Sequence, residues 1–207
     1  MKQYLLKLCS AGLLCGILMS PVWAEGLKVG STLENLQAAY NGESNAHARY
    51  LKFAAKADLE GYKQVAALFR AAAKSEEIHA ANHAKVITKM GAQPKKVIKK
   101  IDVKTTKENL ETALKGETYE RDIMYPEFAK KADADKNINA SRSFKGALAA
   151  ETEHARLYSE ALGNLESWKV SNKEFLVCTV CGYTTDNTAL TQCPVCSAPR
   201  EKFVSFK

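Results

Sequence analysis

Four short motifs carry residue types that bind metal ions. Two are Glu-x-x-His sequences and two are Gly-Glu pairs. Residues three apart on a helix lie on one face, so each Glu-x-x-His offers a carboxylate and an imidazole side by side. One glutamate from each of two helices, with a Glu-x-x-His from each of two others, is the arrangement by which helical bundles hold two irons. The motifs are Glu76-x-x-His79, Glu151-x-x-His154, Gly42-Glu43 and Gly116-Glu117.

Each of these residues alone has an ordinary structural explanation. A glutamate on a long helix usually faces solvent, and one Glu-x-x-His sequence is a weak signal. Two such sequences together with two Gly-Glu pairs favour one site for two ions, and carboxylates with imidazoles suit iron or manganese. His47 and His83 lie one turn beyond Glu43 and His79. We expect these two histidines beside the site or at the surface rather than as ligands.

A second set of ligand residues lies near the C-terminus. Cys178-Thr-Val-Cys181 and Cys193-Pro-Val-Cys196 form two C-x-x-C motifs. Two disulfides are the ordinary expectation for an exported chain. Paired C-x-x-C motifs instead favour a tetrahedral four-cysteine metal site, because each motif turns both thiolates toward one ion. On spacing alone, zinc is the general expectation for that ion.

Four amphipathic helices must position the glutamates and histidines. The middle of the chain is rich in Ala, Leu, Glu and Lys, and its apolar residues recur every three or four positions. Gly61 and Gly91 are predicted to end the first and second helices, Thr32 to cap the first, and Thr105 or Thr106 to cap the third. The predicted helices cover residues 32–60, 62–90, 105–134 and 137–166.

The first two helices resemble the last two. Their matched residues are 74 positions apart at first and 75 apart later. A duplicated helical hairpin packed face to face would bring such equivalents together around a pseudo-twofold axis. The offset changes between Glu117 and Tyr125, near Pro126, and one residue inserted within a helix predicts a π-bulge there. The matches include Asn35 and Asn109, Glu43 and Glu117, Tyr50 and Tyr125, Glu76 and Glu151, and His79 and His154.

Together these motifs resemble the rubrerythrin family over the whole chain after residue 24. The resemblance implies a mainly α fold with a ferritin-like four-helix bundle in residues 25–168, a linker at 169–174, and a small rubredoxin-like domain of strands and cysteine knuckles at 175–207. Ser197 stands where many rubredoxin modules have glycine. The residues that carry the resemblance are Gly42-Glu43 with Tyr50, Glu76-x-x-His79, Gly116-Glu117-x-x-Glu120, Met124-Tyr125-Pro126, Glu151-x-x-His154, Cys181-Gly-Tyr and Cys193-Pro-x-Cys-x-Ala-Pro.

The resemblance also implies the cofactors and the residues that hold them. It implies two non-haem irons in the bundle and one iron in the tail, with zinc as the alternative in the tail. One bundle iron is expected to exchange Glu120 for His79 on reduction, while Ala46 is the counterpart of Glu120 in the first half. Tyr50 and Tyr125 are expected to hydrogen-bond to ligand carboxylates, although periodicity alone makes them core tyrosines. The expected catalytic residues are Glu120, His79, Tyr50 and Tyr125. The expected ligands are Glu43, Glu76, His79, Glu117, Glu120, Glu151, His154, Cys178, Cys181, Cys193 and Cys196.

The N-terminal residues read as a secretory signal. Lys2 and Lys7 precede an apolar stretch, and Ala24 with Val22 fits a cleavage site, so residues 1–24 are predicted to be removed and the protein to be periplasmic. The bulky Leu14 before Cys15 disfavours lipid attachment. The formal net charge of +7 comes from lysines and arginines scattered among nearly as many acids, and no aromatic and basic platform for nucleic acid accompanies it.

The activity implied by the resemblance is the reduction of hydrogen peroxide to water. The tail iron would relay electrons from a donor that the sequence does not identify. The resemblance also implies a homodimer or higher oligomer in which this relay often runs between subunits. Two other functions stay open. One is a ferritin-like oxidase or iron store, and the other is a zinc ribbon on a helical interaction scaffold. No membrane span is expected after removal of the signal.

Overall fold

The computed structural model describes residues 27–170 and 172–207, so the predicted signal peptide lies outside the described residues. As predicted, these residues form a helical bundle followed by a small sheet domain. The helical elements are α1 (Thr32–Leu59), α2 (Lys63–Lys89), α3 (Thr106–Tyr119), a π-helical segment (Glu120–Met124), α4 (Tyr125–Ala134) and α5 (Ile138–Gly163). The strands are β1 (Phe175–Cys178), β2 (Thr184–Thr185) and β3 (Phe203–Phe206), and short 3₁₀ turns occupy Ser167–Lys169 and Arg200–Lys202.

Matching capping boxes begin α1 and α3. Ser31 and Glu34 exchange side-chain-to-backbone hydrogen bonds at the start of α1, and Thr105 and Glu108 do the same at the start of α3. Each box satisfies backbone N–H groups that have no partner within the helix. The predicted cap at Thr105 is therefore observed. The cap of α1 was predicted at Thr32, which was wrong by one position. Ser31 is the cap, because Glu34 follows it by the three residues that a capping box requires.

The last helix of the bundle is shorter than predicted. It ends at Gly163 instead of near Glu166, and Asn164 leaves the helical conformation at φ −131°. Glycine and asparagine are poor helix formers, so the chain leaves the helix where they are adjacent. Trp168 in the following 3₁₀ turn stacks on Phe175 of β1, with ring centroids 6.0 Å apart. This contact turns the chain back along the bundle.

The third predicted helix contains the expected π-bulge. Its turns are α-helical to Tyr119, π-helical over Glu120–Met124 and α-helical again from Tyr125. The wider segment absorbs the one-residue insertion, so the residues on either side still face the same way as their counterparts in α1. Tyr125 can therefore occupy the position related by pseudosymmetry to Tyr50.

Two aromatic clusters flank the centre of the bundle. Tyr50 packs with Phe53 and Phe69, which lie 5.5 Å apart between ring centroids. The repeat places Tyr125, Phe128 and Phe144 in the same way, with the rings of Phe128 and Phe144 also 5.5 Å apart. All six side chains are almost completely buried. The duplicated hairpins thus form two apolar walls with the polar ligand residues between them.

The connection between α2 and α3 runs along α1 as an extended strap. Three amide side chains, one per turn of α1, accept hydrogen bonds from its backbone. Oδ1 of Asn41 accepts a hydrogen bond of 2.7 Å from the N–H of Val97, and Oδ1 of Asn45 accepts one of 2.8 Å from the N–H of Lys99. The strap is therefore fixed in place, and it forms one wall of a cavity described below.

The tail forms an antiparallel sheet of order β2-β1-β3 that packs on the bundle of the same chain. Gln64 of α2 makes two hydrogen bonds to the backbone of Lys173, at 2.7 and 2.8 Å. Arg156 of α5 pairs with Asp186 at 2.6 Å. Phe175 and Val177 of β1 also belong to the buried apolar cluster of the bundle, so apolar packing and polar contacts together hold the sheet against α2 and α5. Among the described residues, none of the helices has both the length and the apolar composition that a membrane crossing requires.

Candidate metal centre

Six buried side chains in the bundle form two overlapping groups of ligands. Within each group, the candidate donor atoms all lie within 4.8 Å of one another. Glu76 and Glu151 belong to both groups, so each of them can bridge two ions. The first group is Glu43, Glu76, His79 and Glu151, and the second is Glu76, Glu117, Glu151 and His154. Two ions separated by shared carboxylates are the arrangement that the duplicated motifs predict.

His79 turns its Nδ1 atom toward the carboxylates of the first group. Nδ1 lies 2.8 Å from Glu76, 3.1 Å from Glu151 and 4.0 Å from Glu43. The ring is 1% exposed. Its Nε2 atom points the other way, toward the tail, and lies 3.3 Å from the hydroxyl of Ser75.

His154 occupies the equivalent position in the second group. Its Nδ1 atom lies 2.8 Å from Glu151, 3.3 Å from Glu76 and 3.4 Å from Glu117. Nε2 lies 3.0 Å from the hydroxyl of Thr184 in the tail. Both rings thus offer Nδ1 to the centre, while a contact at Nε2 fixes their orientation.

The ligand residues fit a pair of divalent ions. Buried carboxylate oxygens normally accept hydrogen bonds, because leaving them bare costs free energy. Four oxygens of this cluster are buried and accept no well-aligned hydrogen bond within the described part of the chain, although Nδ1 atoms of the two histidines lie near three of them, and bound cations would satisfy them. They are Glu43 Oε2, Glu76 Oε1, Glu151 Oε1 and Glu151 Oε2.

Crowding of buried carboxylates perturbs the protonation of the cluster without metal. Burial, followed by the negative charge of Glu76, raises the pKa of Glu43 well above its usual value. Burial likewise raises the pKa of Glu117 to about 8, although His154 opposes the shift. Burial alone would lower the pKa of His79, but the carboxylates, Glu151 first, raise it to about 9. The metal-free centre therefore holds protons that binding of cations must displace.

These shifts predict how the stability of the metal-free protein changes with pH. Glu117 binds its proton more tightly when folded, so its contribution is complete below pH 4.5 and is lost as the pH rises through 8. Replacing Glu117 by Gln removes this titration and also lessens the upward pKa shifts of Glu120 and His154, to which the charge of Glu117 contributes, so both effects act in the same direction. Between pH 6 and pH 9, we expect the Tm of the metal-free wild type to fall about 5 °C more than that of Glu117→Gln. Differential scanning calorimetry in the presence of a chelator measures it, and parallel curves would contradict it.

The two tyrosines lie where the sequence placed them, against ligand carboxylates. The hydroxyl of Tyr50 donates to Glu117, and that of Tyr125 donates to Glu43. Burial is the first cause that raises the pKa of Tyr50 well above its usual value, so it is present as a neutral donor. Each tyrosine therefore donates a hydrogen bond across the bundle, to the ligand glutamate that the other half of the repeat contributes.

Of the two histidines not expected to be ligands, only His83 touches this network. His83 is fully buried and contacts Tyr125 and Ser143. Burial, followed by the charge of His79, lowers the pKa of His83 to about 3, so its ring is neutral. His47 instead contacts the carbonyl oxygen of Ala73 at 2.8 Å. His47 is thus held by backbone outside the cluster.

Glu120 lies beside the two ligand groups but belongs to neither. It begins the π-helical segment and lines a cavity of about 390 Å³ together with Gly42, Arg49 and residues of the strap. Burial raises the pKa of Glu120 well above its usual value, Glu117 adds to the effect, and Arg49 opposes it. Arg49 lies over the ring of Tyr50, 5.2 Å from its centroid. Of the ligands predicted in the bundle, Glu120 is the one that lines this cavity.

The four cysteines of the tail converge on one point. Their sulfur atoms approach to 3.6 Å between Cys178 and Cys196 and to 3.5 Å between Cys181 and Cys193. These separations are much longer than a disulfide bond, and close to the roughly 3.8 Å edge of a tetrahedron with metal–sulfur bonds of about 2.3 Å. A hydrogen bond from Cys181 lowers the pKa of Cys178 to about 5. The arrangement suits a tetrahedral ion that takes four thiolates.

The two C-x-x-C motifs differ in the residue that follows the second cysteine, which is Gly182 in one and Ser197 in the other. Gly182 adopts φ +86° after the first knuckle, and Ser197 adopts φ +59° after the second. A left-handed backbone is easy for glycine and costs a residue with a Cβ about 1 kcal/mol. The fold thus accepts the serine at a modest cost.

The tail meets the bundle directly at the ligand histidines. Gly182 lies so close to His79 that a Cβ at this position would overlap Nε2 of the ring. Ser75 donates a hydrogen bond of 2.5 Å to the carbonyl of Gly182. With the contact between Thr184 and His154, both ligand histidines touch the segment that follows Cys181. The four-cysteine site and the bundle centre are therefore linked through a few residues.

Comparison with known proteins decides the family. A family model described as "Rubrerythrin" matches residues 34–162, and one described as "Rubrerythrin, rubredoxin-like domain" matches residues 177–204. The chain belongs to the rubrerythrin family. It is 36% identical to nigerythrin of Nitratidesulfovibrio vulgaris over 86% of this chain and 88% of that protein. It is also 36% identical to rubrerythrin-2 of Clostridium acetobutylicum, over 87% of this chain and 99% of the relative.

Solved structures agree with this assignment. Fully reduced, all-ferrous nigerythrin superposes with a TM-score of 0.80 at 35% identity, covering 88% of this chain and 91% of the other. Mycobacterium tuberculosis bacterioferritin is more distant, with a TM-score of 0.61 at 18% identity over 67% of this chain and 91% of the other. As a rubrerythrin, the chain has a ferritin-like bundle with a di-iron site and a rubredoxin-like four-cysteine site.

Several residues around the centre were not found from the sequence. These residues are Ser75 and Thr184, which contact ligand histidines, Arg49, which contacts Tyr50, and Ser143, which contacts His83. Serine, threonine and arginine at these spacings cannot be distinguished from surface residues in the sequence. One signal was available. Arg49 is the counterpart of Met124 in the repeat, so, like Glu120, it is a charged residue whose counterpart in the other half is apolar. A search for unmatched polar residues within the repeat would have found it.

Proposed function

We propose that the protein reduces hydrogen peroxide to water at the two irons of the bundle, and that the tail iron returns the electrons. The observation that supports this most strongly is the contact of both ligand histidines with the tail. Gly182 lies against His79, and Thr184 lies 3.0 Å from His154. An oxidase that only loads a mineral store has no use for a second redox site built against its ligands.

Hydrogen peroxide must gain two electrons and two protons for its O–O bond to break and two waters to form. Two ferrous ions, when bound, supply both electrons at one place. The chain supplies the orientation. Tyr50 and Tyr125 hold the carboxylates of Glu117 and Glu43, and the aromatic walls behind them keep water from the ligand atoms.

Glu120 is the residue that we propose to meet the substrate. It lines the cavity beside the strap, so a small polar molecule in that cavity reaches its carboxyl group. Because burial raises its pKa, this carboxyl group tends to hold a proton that it can donate to the substrate. His79 lies inside a ligand group and Glu120 outside, which matches the reduced arrangement that the family resemblance implies.

A homodimer or higher oligomer and a separate electron donor are part of this proposal. The tail lies on the bundle of its own chain, so return of electrons to the centre does not require a second subunit. Assembly would then serve stability or docking of the donor. Analytical ultracentrifugation measures the oligomeric state directly.

Stopped-flow mixing tests the proposed activity. The anaerobically reduced protein is mixed with hydrogen peroxide or with dioxygen, and oxidation is followed by the visible charge-transfer bands of the ferric centres. We expect peroxide to oxidise the protein at least about tenfold faster than dioxygen at equal concentration. Faster oxidation by dioxygen would instead favour the ferritin-like oxidase. A colourless tail after full oxidation would identify zinc there and contradict the relay.

A further inference from the structure

The two tyrosine–glutamate hydrogen bonds at the centre differ in what lies behind them. On one side, Tyr125 donates to Glu43, and Nε2 of His83 lies 3.2 Å from the tyrosine oxygen. Nδ1 of His83 lies 2.8 Å from the hydroxyl of Ser143. An unbroken row of hydrogen bonds therefore connects Ser143 to a carboxylate of the di-iron site.

The row has one consistent direction. When Glu43 is ionised as a metal ligand, its carboxylate only accepts hydrogen bonds, so the hydroxyl of Tyr125 donates to it and the tyrosine oxygen accepts from Nε2–H of His83. The other nitrogen of the neutral ring is then an acceptor, and the hydroxyl of Ser143 donates to it. Every donor points from Ser143 toward the centre. A proton added at the outer end and one released at the inner end would require only short transfers within existing hydrogen bonds.

The outer end of the row reaches solvent. Ser143 is half-buried and lines a cavity of about 250 Å³ between α2, α5 and the tail, together with Asn82 and Arg142. The next member, His83, is 0% exposed. Water therefore meets the row at the serine hydroxyl, and the buried histidine carries the connection through the wall of the bundle.

The related positions in the other half of the repeat do not form such a row of hydrogen bonds. Tyr158 takes the place of His83 and Leu68 takes the place of Ser143, and both are completely buried. The hydroxyl of Tyr158 is buried without a hydrogen-bond partner in the described part of the protein. At the positions related to His83 and Ser143, no histidine or serine therefore continues the hydrogen bond from Tyr50 to Glu117. A polar group beside Tyr50 is instead the guanidinium of Arg49, which lies over its ring and lines the cavity beside Glu120.

We propose that Ser143, His83 and Tyr125 form the path by which protons reach the di-iron site during peroxide reduction. This inference rests on the proposed function. Each turnover takes one hydrogen peroxide, two protons and one electron from each of two ferrous ions, breaks the O–O bond and leaves two waters. Tyr125 passes its hydroxyl proton to the carboxylate of Glu43, which hands it on to the peroxide, and recovers one from Nε2 of His83, while Nδ1 accepts the proton of Ser143, which water replaces. The two hydroxyls and the ring of His83 must turn back to their starting arrangement before the second proton follows.

Removal of the serine hydroxyl tests the path without touching a ligand. In Ser143→Ala, the row is cut at its outer end, 2.8 Å from His83. We expect the single-turnover rate with peroxide to fall about tenfold, and the ratio of rates in H₂O and D₂O to rise to about two or more, because proton delivery becomes limiting. The cavity beside Glu120 also reaches solvent, so we expect slowing and not complete loss.

Two further variants separate proton delivery from a structural role. Tyr158→Phe removes the related, unpartnered hydroxyl and is the matched control, with rate and isotope ratio expected to stay at wild-type values. Ser143→Thr keeps a hydroxyl at the same position and should restore most of the rate. If Ser143→Ala and Tyr158→Phe behave alike at full iron content, the proposed path is overturned.

The direction of the row is tested separately in protein whose bundle is loaded with diamagnetic zinc, which keeps Glu43 ionised. Nitrogen-15 NMR of labelled histidine distinguishes the two neutral tautomers of His83. We expect its proton on Nε2, and a proton on Nδ1 would overturn the inward direction. This measurement does not depend on activity. If the wild type itself does not react faster with peroxide than with dioxygen, then the proposed function fails, whereas a normal wild type with a normal Ser143→Ala variant refutes only the path.

Discussion

A Glu151→Ala protein is expected to lose both irons of the bundle and to keep the iron of the four-cysteine tail. Glu151 belongs to both ligand groups, and both of its oxygens are buried without a hydrogen bond among the described residues. Its removal deprives each ion of a ligand and of a neutralising charge in a site that excludes water. We expect the rate of reaction with peroxide to fall at least about a thousandfold. Metal analysis and the visible spectrum of the tail measure the two outcomes separately.

Variants of ligands that belong to one group or to both test whether Glu151 is shared by the two ions. Glu43 belongs only to the first group and Glu117 only to the second. Glu43→Ala should therefore weaken binding of one iron and leave the other, whereas Glu151→Ala should release both. Exposed Glu127 on α4 is the control, and Glu127→Ala should change neither. Equal loss of both irons from Glu43→Ala and Glu151→Ala would contradict the division into two groups that share bridges.

The sequence was sufficient to predict the bundle and its ligands because both are encoded by periodic patterns. Glu76 and Glu151 are matched by the repeat, and a repeat of helical hairpins leaves few ways to bring four such motifs together. The π-helical segment was predictable for a related reason. One inserted residue between Glu117 and Tyr125 must be absorbed within a helix, and the wider turn is the least costly place for it.

The contacts behind the ligands were not predictable in the same way. Ser143 meets His83 across two helices, and Thr184 meets His154 across two domains, so neither contact leaves a spacing in the sequence. They depend on how far the helices are rotated and on where the tail docks. The misplaced cap at Thr32 has a different cause, because Ser31-x-x-Glu34 carries the spacing of a capping box in the sequence itself and favours Ser31 over Thr32.

The contact between tail and bundle should be essential for return of electrons, and Gly182 is its most sensitive residue. In Gly182→Ala, the new methyl group would overlap Nε2 of His79, so either the ring or the tail must move. The cysteine ligands are unchanged, and we expect the tail to keep its iron. A small displacement at a reacting contact costs about a hundredfold, so transfer from the reduced tail to the peroxide-oxidised bundle should slow by at least about that factor. The visible spectrum of the tail after mixing with peroxide follows this step.

The strain of the backbone must be separated from the contact itself. Gly91 adopts φ +80° with open space around it, and Gly182 adopts φ +86° against the histidine. Gly91→Ala therefore carries the same conformational cost, about 1 kcal/mol, and should leave electron transfer unchanged. Ser75→Ala removes only the hydrogen bond to the carbonyl of Gly182 and should slow transfer to a smaller extent. If Gly182→Ala transfers electrons as fast as Gly91→Ala while it retains all of its iron, then the electrons do not pass through the contact of Gly182 with His79.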